Sequence, residues 1–185
     1  MNEIYEPRED SFLLQKYVKE YAKGIVLDMG TGTGIQALEA AKSRKVVKVY
    51  ALDVNHHAIK YCKETIDNNK IIFMRSNLFK VFRGDERYKG LKFDTIIFNP
   101  PYLPAESEDE DIALSGGKGG YELICKFLNE AENYIKPKTK ILLLFSSLTG
   151  KDTLDKYLIK KRFKFKELAK EHIFFEDLYV YLIER

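Results

Sequence analysis

The chain holds two cysteines, Cys62 and Cys125, far apart and without a close cysteine partner. That excludes a small disulfide scaffold and a cysteine-rich zinc site, and the expected role of both is that of small buried apolar residues in a reducing compartment. No sign of charge dominates: 31 Lys+Arg against 28 Asp+Glu leaves +3, so a strongly basic coat for nucleic acid is not indicated. No apolar run approaches the roughly 20 residues of a spanning helix; Ile141 to Phe145 is among the longest. Met1 to Asp10 carries charges where a secretory signal needs an apolar stretch, so a soluble cytoplasmic protein is expected. Repeats and low-complexity tracts are also missing. Gly116-Gly117-Lys118-Gly119-Gly120 lacks the spacing and the hydroxyl residue of a phosphate-binding P-loop. His56 and His57 fall at a helix start and His172 has no evident ligand partner, so no metal is assigned.

What is present is an ordinary globular composition: 185 residues, 45% apolar and 32% charged, which excludes a disordered chain and suits one domain over residues 1–185. Phe12, Leu13, Tyr17, Val18 and Tyr21 recur at helical spacing and predict a helix over 9–22, ending at Gly24. Short apolar runs predict strands at 25–29, 46–52, 71–74, 93–98 and 140–146. Helices are expected at 35–43, from the Asn55 cap to about 68, at 119–135 (stopping before Pro137) and at 151–160. Residues 83–90 and 103–118 read as loops. Two successive strands, 163–170 and 178–184, end the chain and can pair as a hairpin. The alternation argues for an α/β fold of Rossmann-like type: a mostly parallel seven-stranded sheet with one antiparallel strand and helices on both faces.

Three stretches carry chemistry. The first strand runs into Asp28-Met-Gly30-Thr-Gly32-Thr-Gly34 and then a helix. Glycines there let the backbone turn sharply and come close to a ligand, and the helix start offers free N–H groups. Asp53 ends the next strand, near the offset of a carboxylate that accepts hydrogen bonds from ribose hydroxyls. An acid at Asp28 would repel a pyrophosphate but suits the cationic end of S-adenosylmethionine, which favours that cofactor over a dinucleotide. The fourth strand delivers Asn99-Pro100-Pro101-Tyr102 to the same, carboxyl end of the sheet. Its prolines stiffen a loop that offers the Asn99 side-chain oxygen and the Pro100 carbonyl as acceptors, with Tyr102 to pack over a planar group. Two acceptors can hold an –NH2 group and favour the charge that grows on a weakly nucleophilic nitrogen as it is methylated.

Together these residues resemble the class I S-adenosylmethionine-dependent methyltransferases that act on amino groups. With Tyr5-Glu6-Pro7-Arg8-Glu9-Asp10-Ser11 and the Gly116 to Gly120 run, the resemblance narrows to the HemK-type glutamine methyltransferases of translation release factors. It implies a cofactor pocket lined by Ser11, Asp28, Gly30, Gly32, Gly34, Asp53, Val54, Asn77, Leu78 and Asn99. It also implies a glutamine amide of a Gly-Gly-Gln loop held by Asn99, Pro100 and Pro101, with Tyr102 beside it. The 23 residues before Gly24 match the short archaeal and eukaryotic branch, whose members commonly work with a small zinc-binding activating subunit. Two positions depart from the family pattern: Asn77 stands where Asp is frequent, and Tyr121 where Arg is frequent.

The same acceptor motif fits two other readings, an adenine-N6 methyltransferase on RNA or DNA and a lysine methyltransferase. A catalytically silent cofactor-binding subunit is a third. The small net charge and the acidic residues Glu106 to Asp111 weigh against nucleic acid. Lys156 to Lys170, with Phe163 and Phe165 interleaved, reads as a strand with one buried face and lysines outside.

Overall fold

A computed structural model describes residues 4–101 and 120–185. The acidic run, Tyr102 and the glycines Gly116, Gly117 and Gly119 lie outside the described residues. Seven strands form one sheet in the order β3-β2-β1-β4-β5-β7-β6. They are β1 (Gly24–Met29), β2 (Val46–Asp53), β3 (Ile71–Arg75), β4 (Phe93–Phe98), β5 (Ile135–Ser146), β6 (Lys164–Ile173) and β7 (Glu176–Glu184). Only β7 runs against its neighbours, pairing antiparallel with β5 and β6. The expected mixed sheet is therefore the one observed.

Successive strand residues point to opposite faces, and both faces are buried, as a parallel sheet requires. On one face Val26, Val49, Ala51, Ile97, Leu142 and Val180 meet α1 (Glu9–Tyr21), α2 (Ile35–Lys42) and α3 (His56–Thr65). On the other, Leu27, Leu52, Ile96, Phe98, Leu143 and Tyr181 meet α4 (Glu122–Ala131) and α5 (Lys151–Lys160). Aromatic rings fill the second layer: Phe79 stacks on Tyr134 with centroids 4.7 Å apart, and Phe98 lies 4.4 Å from Phe127. Tyr88, from the loop expected at 83–90, joins them edge-on to Phe82.

The main departure from the sequence reading is at α4 and β5. The helix ends at Ala131, not 135, and the strand begins at Ile135, so Pro137 sits inside β5 instead of stopping a helix. Proline has no N–H for a ladder. The pairing accommodates it by a register shift: Phe93 faces Ile135 while Thr95 faces Lys140. Lys138 takes φ +74° in that bulge, and Thr139 Oγ1 donates to the Phe93 carbonyl at 2.6 Å while accepting from the Lys136 N–H. Likewise α3 stops at Thr65, three residues before its expected end. On the outer edge strand β6, Lys164, Lys166 and Lys170 are exposed while Phe165 stacks on Tyr181, which blunts an open edge; Lys156 and Lys160 of the same basic stretch lie on α5 instead, so only its second half is the strand expected. No helix among the described residues is long and apolar enough to cross a membrane.

Candidate active site

Five segments meet at the carboxyl ends of β1, β2, β3 and β4. The first is the turn from β1 into α2. Gly30, Gly32 and Gly34 all have positive φ, at +67°, +54° and +84°. At Gly34, the N-cap of α2, a Cβ would sit 2.6 Å from Ile66 Cδ1 and 3.3 Å from Cys62 Sγ, so both backbone shape and space call for glycine. At Gly30 the nearest atoms to a Cβ are Asn99 O and Phe98 Cε2, each at 3.8 Å, which leaves an open cradle facing the end of β4.

Asp28 lies behind this loop, 1% exposed. Its Oδ2 accepts from Thr31 Oγ1 at 2.6 Å and from the Ala37 N–H at 3.0 Å, tying the loop to the first turn of α2. Burial pushes its carboxyl up to about 7, against the lowering effect of those two donors; the nearby Asp53 charge raises it further. Asp53 spans the gap between loops: Oδ2 accepts from the Gly32 N–H at 2.9 Å and Oδ1 from the Asn55 N–H at 2.8 Å. Burial also raises its pKa, while the Asn55, Gly32 and Val54 N–H groups work to lower it. Burial thus favours the neutral form of both carboxyls, and a cation beside them would favour the ionised form.

Val54 and Asn77 line a cavity of about 280 Å³ together with Arg75, Ser76, Lys80 and Val81. Leu78, buried beside it, has φ +48°, a conformation that costs a branched residue on the order of 1 kcal/mol. Ser76 Oγ holds that turn, donating to the Leu78 carbonyl at 2.6 Å and accepting from the Val81 N–H at 3.0 Å. A larger cavity of about 520 Å³, between α1 and α2 and lined by Gln15, Lys16, Lys19, Glu39, Lys42 and Ser43, shares no residue with this set.

The N-terminal segment closes the site. The Tyr5 carbonyl lies 3.9 Å from where a Gly32 Cβ would be. Asp10 and Ser11, in the first turn of α1, are 3% and 2% exposed. Asp10 Oδ1 accepts from the Tyr5 hydroxyl at 2.9 Å and the Ser11 N–H at 2.6 Å, with Ser11 Oγ at 3.2 Å. Its other oxygen, Oδ2, accepts from Asn99 Nδ2 at 2.9 Å. Asn99 Oδ1 is buried and has no hydrogen-bond partner among the described residues. Pro100 is buried and Pro101 exposed.

The fold thus gathers Ser11, Asp28, the three glycines, Asp53 and Asn99 at the carboxyl end of the sheet, with Val54, Asn77 and Leu78 at the adjoining turn. It also recruits residues that sequence patterns did not single out for the site. Asp10 and Tyr5 belong to the N-terminal motif, the signal that could have found them. Gln36 donates to the Ser11 carbonyl at 2.8 Å, and Cys62, expected as a mere apolar filler, donates its thiol toward the Gly32 carbonyl at 3.3 Å. Nothing in the sequence marks those two.

Known proteins fit this architecture. The model of the methyltransferase small domain matches residues 9–176. A Methanocaldococcus jannaschii protein, provisionally named a protein N5-glutamine methyltransferase, is 41% identical over 96% of this chain and 90% of its own length. The release factor glutamine methyltransferase of Aquifex aeolicus is 35% identical over 77% of this chain and 54% of its own, so the chain spans about half of that bacterial relative. Among solved structures, the Mtq2-Trm112 complex of E. cuniculi, described as responsible for methylation of the eRF1 termination factor, superposes with a TM-score of 0.76. The match covers 100% of this chain and 99% of that one, at 24% identity, and speaks for the fold. With the family model matching nearly the whole chain and an archaeal relative at this level of identity, the chain belongs to the methyltransferase small domain family.

Proposed function

We propose that the protein transfers a methyl group from S-adenosylmethionine to the side-chain amide nitrogen of a glutamine in a translation release factor. The observation that carries this reading is the buried Asn99 Oδ1, without a partner among the described residues, close to a glycine cradle backed by two carboxyls. The residues suit the methyl donor: Asp53 offers carboxylate oxygens to ribose hydroxyls, Val54 and Asn77 offer a cavity wall for the adenine, and the open face of Gly30 admits the sulfonium end. When bound, that molecule supplies an electrophilic methyl.

The chain's own part is positioning and charge. An amide nitrogen is a poor nucleophile because its lone pair is delocalised. Asn99 Oδ1 and the Pro100 carbonyl would accept both of its hydrogens, turn the lone pair toward the methyl carbon and favour the positive charge that grows as the N–C bond forms and the C–S bond breaks. The nitrogen then loses a proton to solvent, so no strong base is required beforehand. Tyr102 would cover the planar amide. Names of the M. jannaschii and A. aeolicus relatives support glutamine as the acceptor. The E. cuniculi relative works as a two-protein complex, which supports a small activating partner here too; by resemblance that partner is the one that carries zinc. A substrate engaged in translation places the reaction in the cytoplasm.

Incubation with labelled S-adenosylmethionine and the cognate release factor is expected to label the Gly-Gly-Gln peptide. Persistence of label after Gln→Ala in that peptide, or label in RNA or DNA instead, would overturn the assignment.

A further inference from the structure

We propose that Asp10 is a positioning residue that fixes which end of the Asn99 amide faces the acceptor nitrogen. The inference rests on the glutamine-amide reading above and adds a residue to it. An asparagine amide is nearly symmetric in shape, yet its two ends are opposite in hydrogen bonding: one accepts and the other donates twice. For a primary amide to be held through its hydrogens, Asn99 must present oxygen, and a flipped side chain would present a second –NH2 group instead.

The carboxylate of Asp10 settles the choice, because its oxygens offer only lone pairs. Asp10 Oδ2 accepts the Asn99 Nδ2 hydrogen at 2.9 Å, and Asn99 Oδ1 is left buried with no partner among the described residues. Asp10 is itself held on its other oxygen by the Ser11 N–H at 2.6 Å and the Tyr5 hydroxyl at 2.9 Å. The Ser11 donor is backbone and cannot be turned. At 3% exposure no bulk water is available to substitute for any of these partners.

This geometry makes an inverted order of variants. In Asp10→Asn the Ser11 N–H retains the one remaining oxygen, so the new –NH2 faces Asn99. Two opposed –NH2 groups repel, Asn99 turns over, and a donor enters the site. In Asp10→Ala the amide is free, and an incoming substrate can select the productive face. Asp10→Asn is therefore expected to lower kcat about 100-fold and Asp10→Ala only about 10-fold, the first being comparable to loss of a preorganised transition-state hydrogen bond. KM for the release factor and Kd for S-adenosylmethionine should stay within about threefold of wild type in both. A merely structural carboxylate predicts the reverse order, since alanine leaves a hole and asparagine nearly fills it.

The measurement is single-turnover methylation of the release factor by the wild-type chain and each variant, with Tm recorded alongside. If wild-type protein labels no glutamine, the parent reading fails. If it does, and Asp10→Ala is as slow as Asp10→Asn or slower, the positioning role is refuted. Should the variants fold poorly, the wild-type protein decides by NMR: the Asn99 carboxamide protons, assigned by their loss in Asn99→Ala, should exchange slowly and show nuclear Overhauser contacts to Asp10. Contacts placing them on the side away from Asp10 instead would overturn the proposal.

Discussion

Replacing Gly34 by alanine tests whether the glycine turn is dictated by backbone shape and by the space beneath it. At φ +84° an L-residue costs about 1–2 kcal/mol relative to glycine. The added methyl would lie 2.6 Å from Ile66 Cδ1 and 3.3 Å from Cys62 Sγ, and making room for it costs roughly 1–2 kcal/mol more. The sum, about 2–4 kcal/mol, lowers Tm by about 4–16 °C in a chain of this size. Gly30→Ala is the control. Its φ is also positive, but the nearest atoms stand at 3.8 Å, so only the backbone cost of about 1–2 kcal/mol applies and Tm falls by about 2–8 °C. The order reverses for ligand binding, because a methyl at Gly30 projects into the open cradle toward Asn99 O. Titration calorimetry should show S-adenosylmethionine affinity weakened at least tenfold in Gly30→Ala. Differential scanning calorimetry of both variants and of Gly34→Ala/Ile66→Val completes the test, since valine lacks the Cδ1 atom. The double variant should be no less stable than Gly34→Ala alone, although Ile→Val by itself typically costs about 0.5–1.5 kcal/mol. A Gly34→Ala protein melting within 2 °C of wild type on the order of measurement error, or a double variant that loses both costs in full, would refute the reasoning.

Three further outcomes are expected. Asn99→Ala should reduce methyl transfer at least about 100-fold while changing S-adenosylmethionine affinity less than about threefold, as measured by single-turnover labelling and calorimetry. Asp28 has a folded pKa near 7, above its unfolded value of about 3.9, so the stability tied to its protonated form is complete below about pH 4 and is lost as pH rises through about 7. Denaturant midpoints across that window should fall less steeply in Asp28→Asn than in wild type. A cationic ligand favours the ionised form, so affinity for S-adenosylmethionine should rise with pH through about 7, and this rise should be weaker for the uncharged thioether product. Asn77→Asp places a charged acceptor on the cavity wall. If Asn77 accepts from the adenine amine, the change should tighten cofactor binding by about 1 kcal/mol, roughly fivefold, and an unchanged Kd would remove Asn77 from that contact.

Local chemistry along the chain already marked the strands and the carboxyl end of the sheet where the candidate site lies. Short apolar runs fix strands, helical spacing marks Glu9–Tyr21 as an amphipathic helix although Phe12 is 52% exposed, and Gly30, Gly32, Gly34 and Pro100 punctuate the turns, because each of these effects acts over a few residues. The boundary between α4 and β5 was not legible in the same way. Pro137 looks like a helix stop until β4 is beside it and a register shift absorbs its missing N–H. The interior of the site was least legible of all. Asp10 and Asn99 meet across 89 residues of sequence, Gln36 reaches Ser11 across 25, and Cys62 reaches Gly32 across 30. Such partners carry no periodic signature, and a buried polar side chain is costly until something pairs with it. The motif names Asn99, but only the packed molecule decides that its nitrogen is taken by a carboxylate while its oxygen has no partner among the described residues.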